Sequence, residues 1–324
     1  MVQVKFWGVR GSVPSPLRAS DVKAKIHGTL LDYIKSGSQD PEEFLRARPF
    51  YQIGTYGGNT SCVELNFDGR RVVLDMGTGL RELGNSLLSE MVDNKGLAVS
   101  FCLSHVHWDH IQGLPFFSPL YANKWRGIRN NWTFYGGTDW QKRAELCLRG
   151  QMDPPTFPVS WDEICNTTES MNFHSVCDSF QFEIDRVRVK TRKLNHPQET
   201  YGYRFEYDGL VIVYTTDNEP YDPEQPDQRL LELAQGADLW ITDCQYDQYI
   251  YNGSTGGVPR HGWGHSYDVA VAKTSLLAQV KHTVLFHHDP VSSDWKIWKM
   301  EERVRELVDG GLVSAAAEGM TIDF

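Results

Sequence analysis

Histidine is scarce in this chain, 11 residues in 324, and basic charge is in short supply as well. Lysine and arginine total 32 against 42 aspartates and glutamates, a formal net charge of −10. A protein that holds nucleic acid through its overall field needs the opposite balance, which leaves only a local basic groove open to that role. No run of about 18 apolar residues occurs, so a membrane-spanning helix is excluded. The start, Met1-Val2-Gln3-Val4-Lys5-Phe6, alternates at once, without a charged and then apolar leader. The expectation is a soluble cytoplasmic protein. Six cysteines, at 62, 102, 147, 165, 177 and 244, are neither paired in spacing nor dense, which suits reduced thiols and not a disulfide frame.

Against that background one hexapeptide stands out, His105-Val106-His107-Trp108-Asp109-His110, where the apolar run Leu97 to Leu103 ends. Four of its six side chains are metal-ligand types. Random placement would give such a cluster in on the order of one chain in a thousand. In an extended segment residues i and i+2 point the same way, so His105 and His107 can grip one cation. If the chain then turns helically, Asp109 and His110 address a second position. Gly113 and Pro115 allow only a short helix there.

The remaining chain reads as alternating strands and helices. A strand at Val2 to Trp7 is followed by a loop to Pro16, then by an insertion at about 17–53 with an amphipathic helix from Val22 to Ile34. Strands Cys62 to Phe67 and Arg71 to Leu74 flank Asp68-Gly69, and Tyr203 to Tyr207 and Leu210 to Tyr214 flank Asp208-Gly209. This is an internal quasi-repeat in which a tight hairpin twice delivers an aspartate, Asp75 and Asp217, to a strand's end. A helix is expected over Gly79 to Met91, and another from Ser266, as N-cap, to Gln279. A second insertion, about 121–180, is rich in aromatics (Trp125, Trp132, Trp140, Trp161) and reads as either a lid or packed cover. Arg186, Arg188, Lys190 and Arg192 line one face of a strand that leads to His196, either as a solvated outer face or as a phosphate-guiding stripe. Length fits one α/β domain, residues 1–324, carrying those two insertions.

Besides the hexapeptide, Asp75, His196, Asp217 and His287 all stand at strand exits, where sites of layered α/β folds cluster. Together these residues resemble the five motifs of the metallo-β-lactamase superfamily. Asp75 corresponds to the first motif, His105-x-His107-x-Asp109-His110 to the second, and His196, Asp217 and His287 to the third, fourth and fifth. The resemblance implies a four-layer αββα sandwich of two mixed sheets with a dinuclear metal site. By the same resemblance His105, His107 and His196 hold one metal, Asp109, His110 and His287 the other, and Asp217 bridges. Asp75 orients the histidine loop by hydrogen bonds. His287 is preferred to His288 as the first residue out of its strand. Zinc is expected, although two carboxylates and five imidazoles also accept manganese or iron.

Gly262-Trp263-Gly264-His265-Ser266 is similar to the glycine-histidine-serine motif of the superfamily's phosphodiesterase branch, which includes ribonuclease Z and a cyclic phosphodiesterase. Phe6-Trp7-Gly8-Val9-Arg10-Gly11-Ser12 and Gly57-Gly58-Asn59-Thr60-Ser61-Cys62 point the same way. The resemblance implies that a metal-bridging hydroxide attacks phosphorus in line, with His265 assisting the leaving oxygen and Asp243 fixing its tautomer. Acidic charge and the absence of a basic clamping arm favour a small or cyclic phosphodiester, such as a cyclic nucleotide, over structured RNA. Ribonuclease Z-like processing, a carbon-ester, thioester or lactam hydrolase, and a non-catalytic metal-binding sensor are the alternatives. A homodimer is compatible with each.

Overall fold

The computed structural model describes residues 1–91, 96–122, 130–137, 145–165, 170–222 and 225–324. After β1 (Val2–Gly8), two hairpins set the plan: β2 (Cys62–Phe67) with β3 (Arg70–Leu74), and β9 (Tyr201–Tyr207) with β10 (Leu210–Thr215). Their turns match residue for residue. Asp68 and Gly69 have φ of 50° and 88°, and Asp208 and Gly209 have 47° and 86°. Positive φ at both central residues is the type I′ geometry whose twist suits antiparallel strands. The quasi-repeat is therefore one of backbone shape as well as of sequence.

Each hairpin's second strand begins a parallel run. β3 leads to β4 (Ala98–Cys102), β5 (Asn131–Gly136) and β6 (Ser170–Ser175), and β10 leads to β11 (Leu239–Asp243), β12 (His282–Phe286) and β13 (Leu312–Ala315). With β14 (Thr321–Asp323), β7 (Gln181–Ile184) and β8 (Val187–Lys193), the described strands form two seven-stranded sheets, ordered β14-β1-β2-β3-β4-β5-β6 and β13-β12-β11-β10-β9-β8-β7. The sheets face each other across Val4, Phe6, Leu65, Leu74, Phe205, Ile212, Ile241 and Phe286, all buried. Burying each such side chain contributes about 1.5–3 kcal/mol.

Helices cover the outer faces. Leu80, Leu83 and Leu87 of the helix Gly79–Leu88 pack on Val73, Phe101 and Trp132, and helices Asp268–Leu277 and Asp294–Leu307 place Val271, Met300 and Val304 on Trp240, Leu285 and Val313. This is the expected four-layer αββα sandwich. Parallel strands covered on both faces are apolar throughout, as in the fully buried β11, LWITD.

Several local expectations change. The helix of the first insertion spans Ala19–Ser36 but buries no residue, so its apolar positions Val22, Ile26 and Leu30 stay exposed. The helix expected from Ser266 starts at Asp268 with Tyr267 as N-cap. Ser266 stays in extended backbone instead: its amide donates to Asp243 Oδ1 at 2.9 Å, and Tyr246 bonds both the Ser266 carbonyl and the Asp268 amide, so the helix opens two residues later. In the aromatic segment, Trp132 and Trp161 pack into the core over the first sheet, whereas Trp125 and Trp140 lie outside the described residues. The basic stripe on β8 is neutralised: Arg186 pairs with Asp208, Arg188 and Lys190 with Glu206, and Arg192 with Asp178 and Glu232. It behaves as a solvated face.

Candidate metal centre

Three strand exits share one unusual feature. Asp75 after β3, Asp217 after β10 and His287 after β12 have φ of 59°, 51° and 60°, left-handed backbone that ordinary residues avoid. Such strain costs of order 1–3 kcal/mol and persists where surrounding contacts over-determine it. From β4 the chain continues through Ser104 to His105 and His107, then tightens into a 3₁₀ turn, Trp108–His110. That change from extended to helical backbone is what separates the two halves of the hexapeptide.

The expected residues converge. Ligand-type atoms of His105, His107, His196 and Asp217 lie within 4.8 Å of one another, as do those of Asp109, His110 and His287. Asp217 faces both sets. Its Oδ2 is 3.7 Å from His105 Nε2 and 4.0 Å from His196 Nε2, while its Oδ1 is 3.2 Å from both His110 Nε2 and His287 Nε2. Asp109 Oδ2 completes the second set, 3.2 Å from His110 Nε2 and 3.1 Å from His287 Nε2.

An outer ring of hydrogen bonds turns His110, His196 and His287 toward the centre. Asp75 Oδ2 lies 2.8 Å from His110 Nδ1, and accepts from Tyr214 Oη at 2.7 Å and Ser104 Oγ at 2.9 Å. His196 Nδ1 donates to the Gly264 carbonyl at 3.0 Å, and His287 Nδ1 to Gln245 Oε1 at 3.2 Å. Occupying one ring nitrogen in this way leaves the other free as an electron-pair donor. Asp109 Oδ2 also accepts the Ser12 amide at 2.7 Å. Two glycines make the fit tight. A Cβ at Gly11 would come 2.5 Å from the His287 ring, and one at Gly264 2.0 Å from His196 Nδ1.

The residues fit a cation. His105 Nε2 and His110 Nε2 are buried with no hydrogen-bond partner among the described residues, although carboxylate oxygens stand close by. Burial holds His105, His107 and His196 below the usual imidazole range, the neutral state that coordination needs. Burial also disfavours charge on His110 and His287, yet the carboxylates of Asp109, Asp217 and their neighbours push both well above the usual range. Burial would raise Asp109 and Asp217, but the surrounding imidazoles hold both below the carboxylate range. A field that favours protons on two of the rings is one in which divalent ions compete with those protons.

His265 stands beside this cluster, 9% exposed, with Nδ1 2.8 Å from Asp243 Oδ2 and 3.9 Å from Asp217 Oδ2. The pairing with Asp243 assigns the proton to Nδ1. His288 points elsewhere, its Nε2 2.9 Å from the Ala316 carbonyl and its ring against Tyr56. Sequence reasoning passed over Ser104, Tyr214, Gln245 and Glu219. Gln245 follows a strand exit and Glu219 stands two residues past Asp217, weak signals that do not distinguish them from their neighbours.

Comparison with known proteins agrees with this architecture. Ribonuclease Z of Oceanobacillus iheyensis is 32% identical over 105 residues, which are 32% of this chain and 30% of that enzyme; the matched stretch thus spans under a third of the relative. Among solved structures, the metallo-beta-lactamase fold protein YhfI from Bacillus subtilis superposes with a TM-score of 0.62 at 15% identity, covering 99% of this chain and 98% of that one. A diphosphatase from the PhnP family superposes with a TM-score of 0.61 at 18% identity, covering 100% and 98%. Residues 70–288, from the start of β3 to the last strand exit of the site, match the beta-lactamase superfamily domain, and the chain belongs to that superfamily.

Proposed function

We propose that this chain is a dinuclear metal-dependent phosphodiesterase acting on a small or cyclic phosphodiester, such as a cyclic nucleotide. The observation that carries it is Asp217 turning one carboxylate oxygen to each of two histidine-rich ligand sets, with the His265–Asp243 pair at their edge. His105, His107 and His196 would hold one ion, Asp109, His110 and His287 the other, and Asp217 both. Zinc suits this donor set, as would manganese or iron. When bound, divalent ions supply a nucleophilic oxygen near neutral pH and offset charge on the phosphoryl group.

The chain's own residues divide the remaining work. Asp75 holds His110 in one orientation through its Nδ1, and Ser12 holds Asp109. His265, whose Nδ1 is tied to Asp243, presents Nε2 to the leaving oxygen; in its protonated form it gives that oxygen a proton, and Asp243 stabilises the imidazolium. The pairing of Arg186, Arg188, Lys190 and Arg192 with acids favours a small substrate over structured RNA. The ribonuclease Z likeness keeps RNA processing as the second reading. We further propose one domain over residues 1–324 with insertions at about 17–53 and 121–180; its dispersed thiols suit the cytoplasm.

The test is elemental analysis of the purified protein, followed by hydrolysis of bis(p-nitrophenyl) phosphate with and without chelator. About two transition-metal ions per chain and chelator-sensitive turnover are expected. Metal with hydrolysis of lactone, thioester or lactam alone would favour a carbon-centred hydrolase. Metal with no turnover would favour a sensor.

A further inference from the structure

Glu219 is a buried carboxylate outside both ligand sets, yet it follows Asp217 by two residues, on the exit from β10, and touches the segments that carry His196 and His265. Its backbone amide donates to the Asn195 carbonyl at 2.9 Å, and its own carbonyl accepts from Asn195 Nδ2 at 3.0 Å. Asn195 immediately precedes His196. Its side chain faces the loop before His265: Oε1 accepts the Gly262 amide at 2.8 Å, Oε2 the Gly264 amide at 2.8 Å, and Tyr251 Oη donates to Oε1 at 2.7 Å.

Within the loop the Trp263 amide donates to the Arg260 carbonyl at 3.1 Å, but Gly262 and Gly264, with φ of 80° and 86°, have no side chains to anchor them, and Trp263 between them is half exposed. Yet the loop has two exacting tasks. The Gly264 carbonyl receives His196 Nδ1, and the next residue is His265. A carboxylate accepting two amides and a hydroxyl forms charge-assisted bonds, roughly twice as strong as neutral ones. One residue therefore ties the backbone beside a ligand of the first set to the backbone beside the proton donor.

We infer that Glu219 is the positioning residue that locks His265 to the His196 and Asp217 side of the centre; this rests on the phosphodiesterase reading above. Glu219→Gln keeps the volume but puts an amide N–H₂ where an acceptor is needed, against a backbone N–H or the Tyr251 hydroxyl. Tyr251→Phe removes one of the three donors and leaves the carboxylate in place.

The experiment measures a series of diaryl phosphates, from bis(p-nitrophenyl) phosphate, whose leaving anion departs unaided, to diphenyl phosphate, whose phenolate needs a proton. Wild type, His265→Ala, Glu219→Gln and Tyr251→Phe are compared at saturating zinc, and zinc affinity of the chelator-stripped proteins is titrated separately. In Glu219→Gln we expect zinc affinity to fall about 10–100-fold. At saturating metal, turnover should fall selectively on diphenyl phosphate, in the pattern of His265→Ala, and Tyr251→Phe should show the same pattern more weakly. A purely structural role would lower every substrate by one factor. The inference is overturned if Glu219→Gln and Tyr251→Phe, at saturating zinc, lose the same factor across the series or nothing while His265→Ala steepens it. If His265→Ala itself leaves the series unchanged in an active enzyme, the acid role assigned to His265 fails, and this inference with it.

Discussion

His265 Nδ1 lies 2.8 Å from Asp243 Oδ2, and no other residue of the candidate centre reaches that nitrogen so closely. The ring is thus oriented by a buried carboxylate, and a ligand-type atom of it also lies within 4.8 Å of those of Asp217, Asp243 and His287. Replacing it with alanine should lower turnover about 10²–10⁴-fold, the usual worth of a positioned general acid, and leave the metal content intact. Kinetics paired with elemental analysis of the same preparation checks both halves. Loss of metal would make His265 a ligand instead.

Asp75 accepts hydrogen bonds from His110, Ser104 and Tyr214 in a fully buried position. In Asp75→Ala those donors lose their partner. Metal affinity should fall about 10–100-fold, and the metal-free protein should be destabilised by about 3–5 kcal/mol. Competition titration against a chromogenic chelator and denaturant unfolding of the stripped protein measure the two effects.

Adjacent histidines should behave oppositely. His287→Ala removes a ring that faces Asp109 and Asp217 and should lose one bound ion per chain. His288→Leu removes a buried ring bonded to the Ala316 carbonyl and should keep both ions, with a stability loss of about 1–3 kcal/mol from the orphaned carbonyl. Metal stoichiometry of the two variants separates them.

Gly264→Ala combines strained backbone, φ of 86°, with a methyl 2.0 Å from His196 Nδ1. The ring or the loop must move. Loss of metal from the proposed His105, His107 and His196 set should exceed any loss of global stability, as read by metal titration beside thermal unfolding.

Stability should also fall in acid through a residue outside the centre. His282 opens β12, with Nε2 3.0 Å from Ser314 Oγ, and burial lowers its pKa from 6.5 to about 4. The folded protein prefers the neutral ring, so this contribution is fully present above pH 6.5 and is lost as pH falls toward 4. Because the ring is partly exposed, solvent screening reduces the effect to on the order of 1–2 kcal/mol. Chelator-treated His282→Gln should show a flatter stability profile over that window in denaturant titrations.

Much of this centre was legible along the chain. A residue that ends an apolar strand is carried to the sheet's edge whatever the rest of the fold does, so His105, His107, Asp109, His110, His196, Asp217 and His287 announce themselves by type and position. The hairpins were equally readable, because Asp-Gly at a two-residue turn specifies its own backbone. The N-cap of the helix Asp268–Leu277 was not, because Tyr246, 20 residues before Ser266, bonds the Ser266 carbonyl and the Asp268 amide and keeps the backbone between them extended.

The sequence by itself marked the candidate ligand residues and the paired hairpins, through residue type, local periodicity and where apolar runs stop, and its resemblance to the superfamily implied the layered sandwich. Tertiary structure alone decided the finer placement of those residues. Which oxygen of Asp217 faces which set, why His288 turns to Ala316, and how Glu219 joins Asn195 to Gly262 and Gly264 depend on contacts between segments far apart in the chain. Such contacts exist only once the strands are in register and the left-handed exits have aimed their side chains.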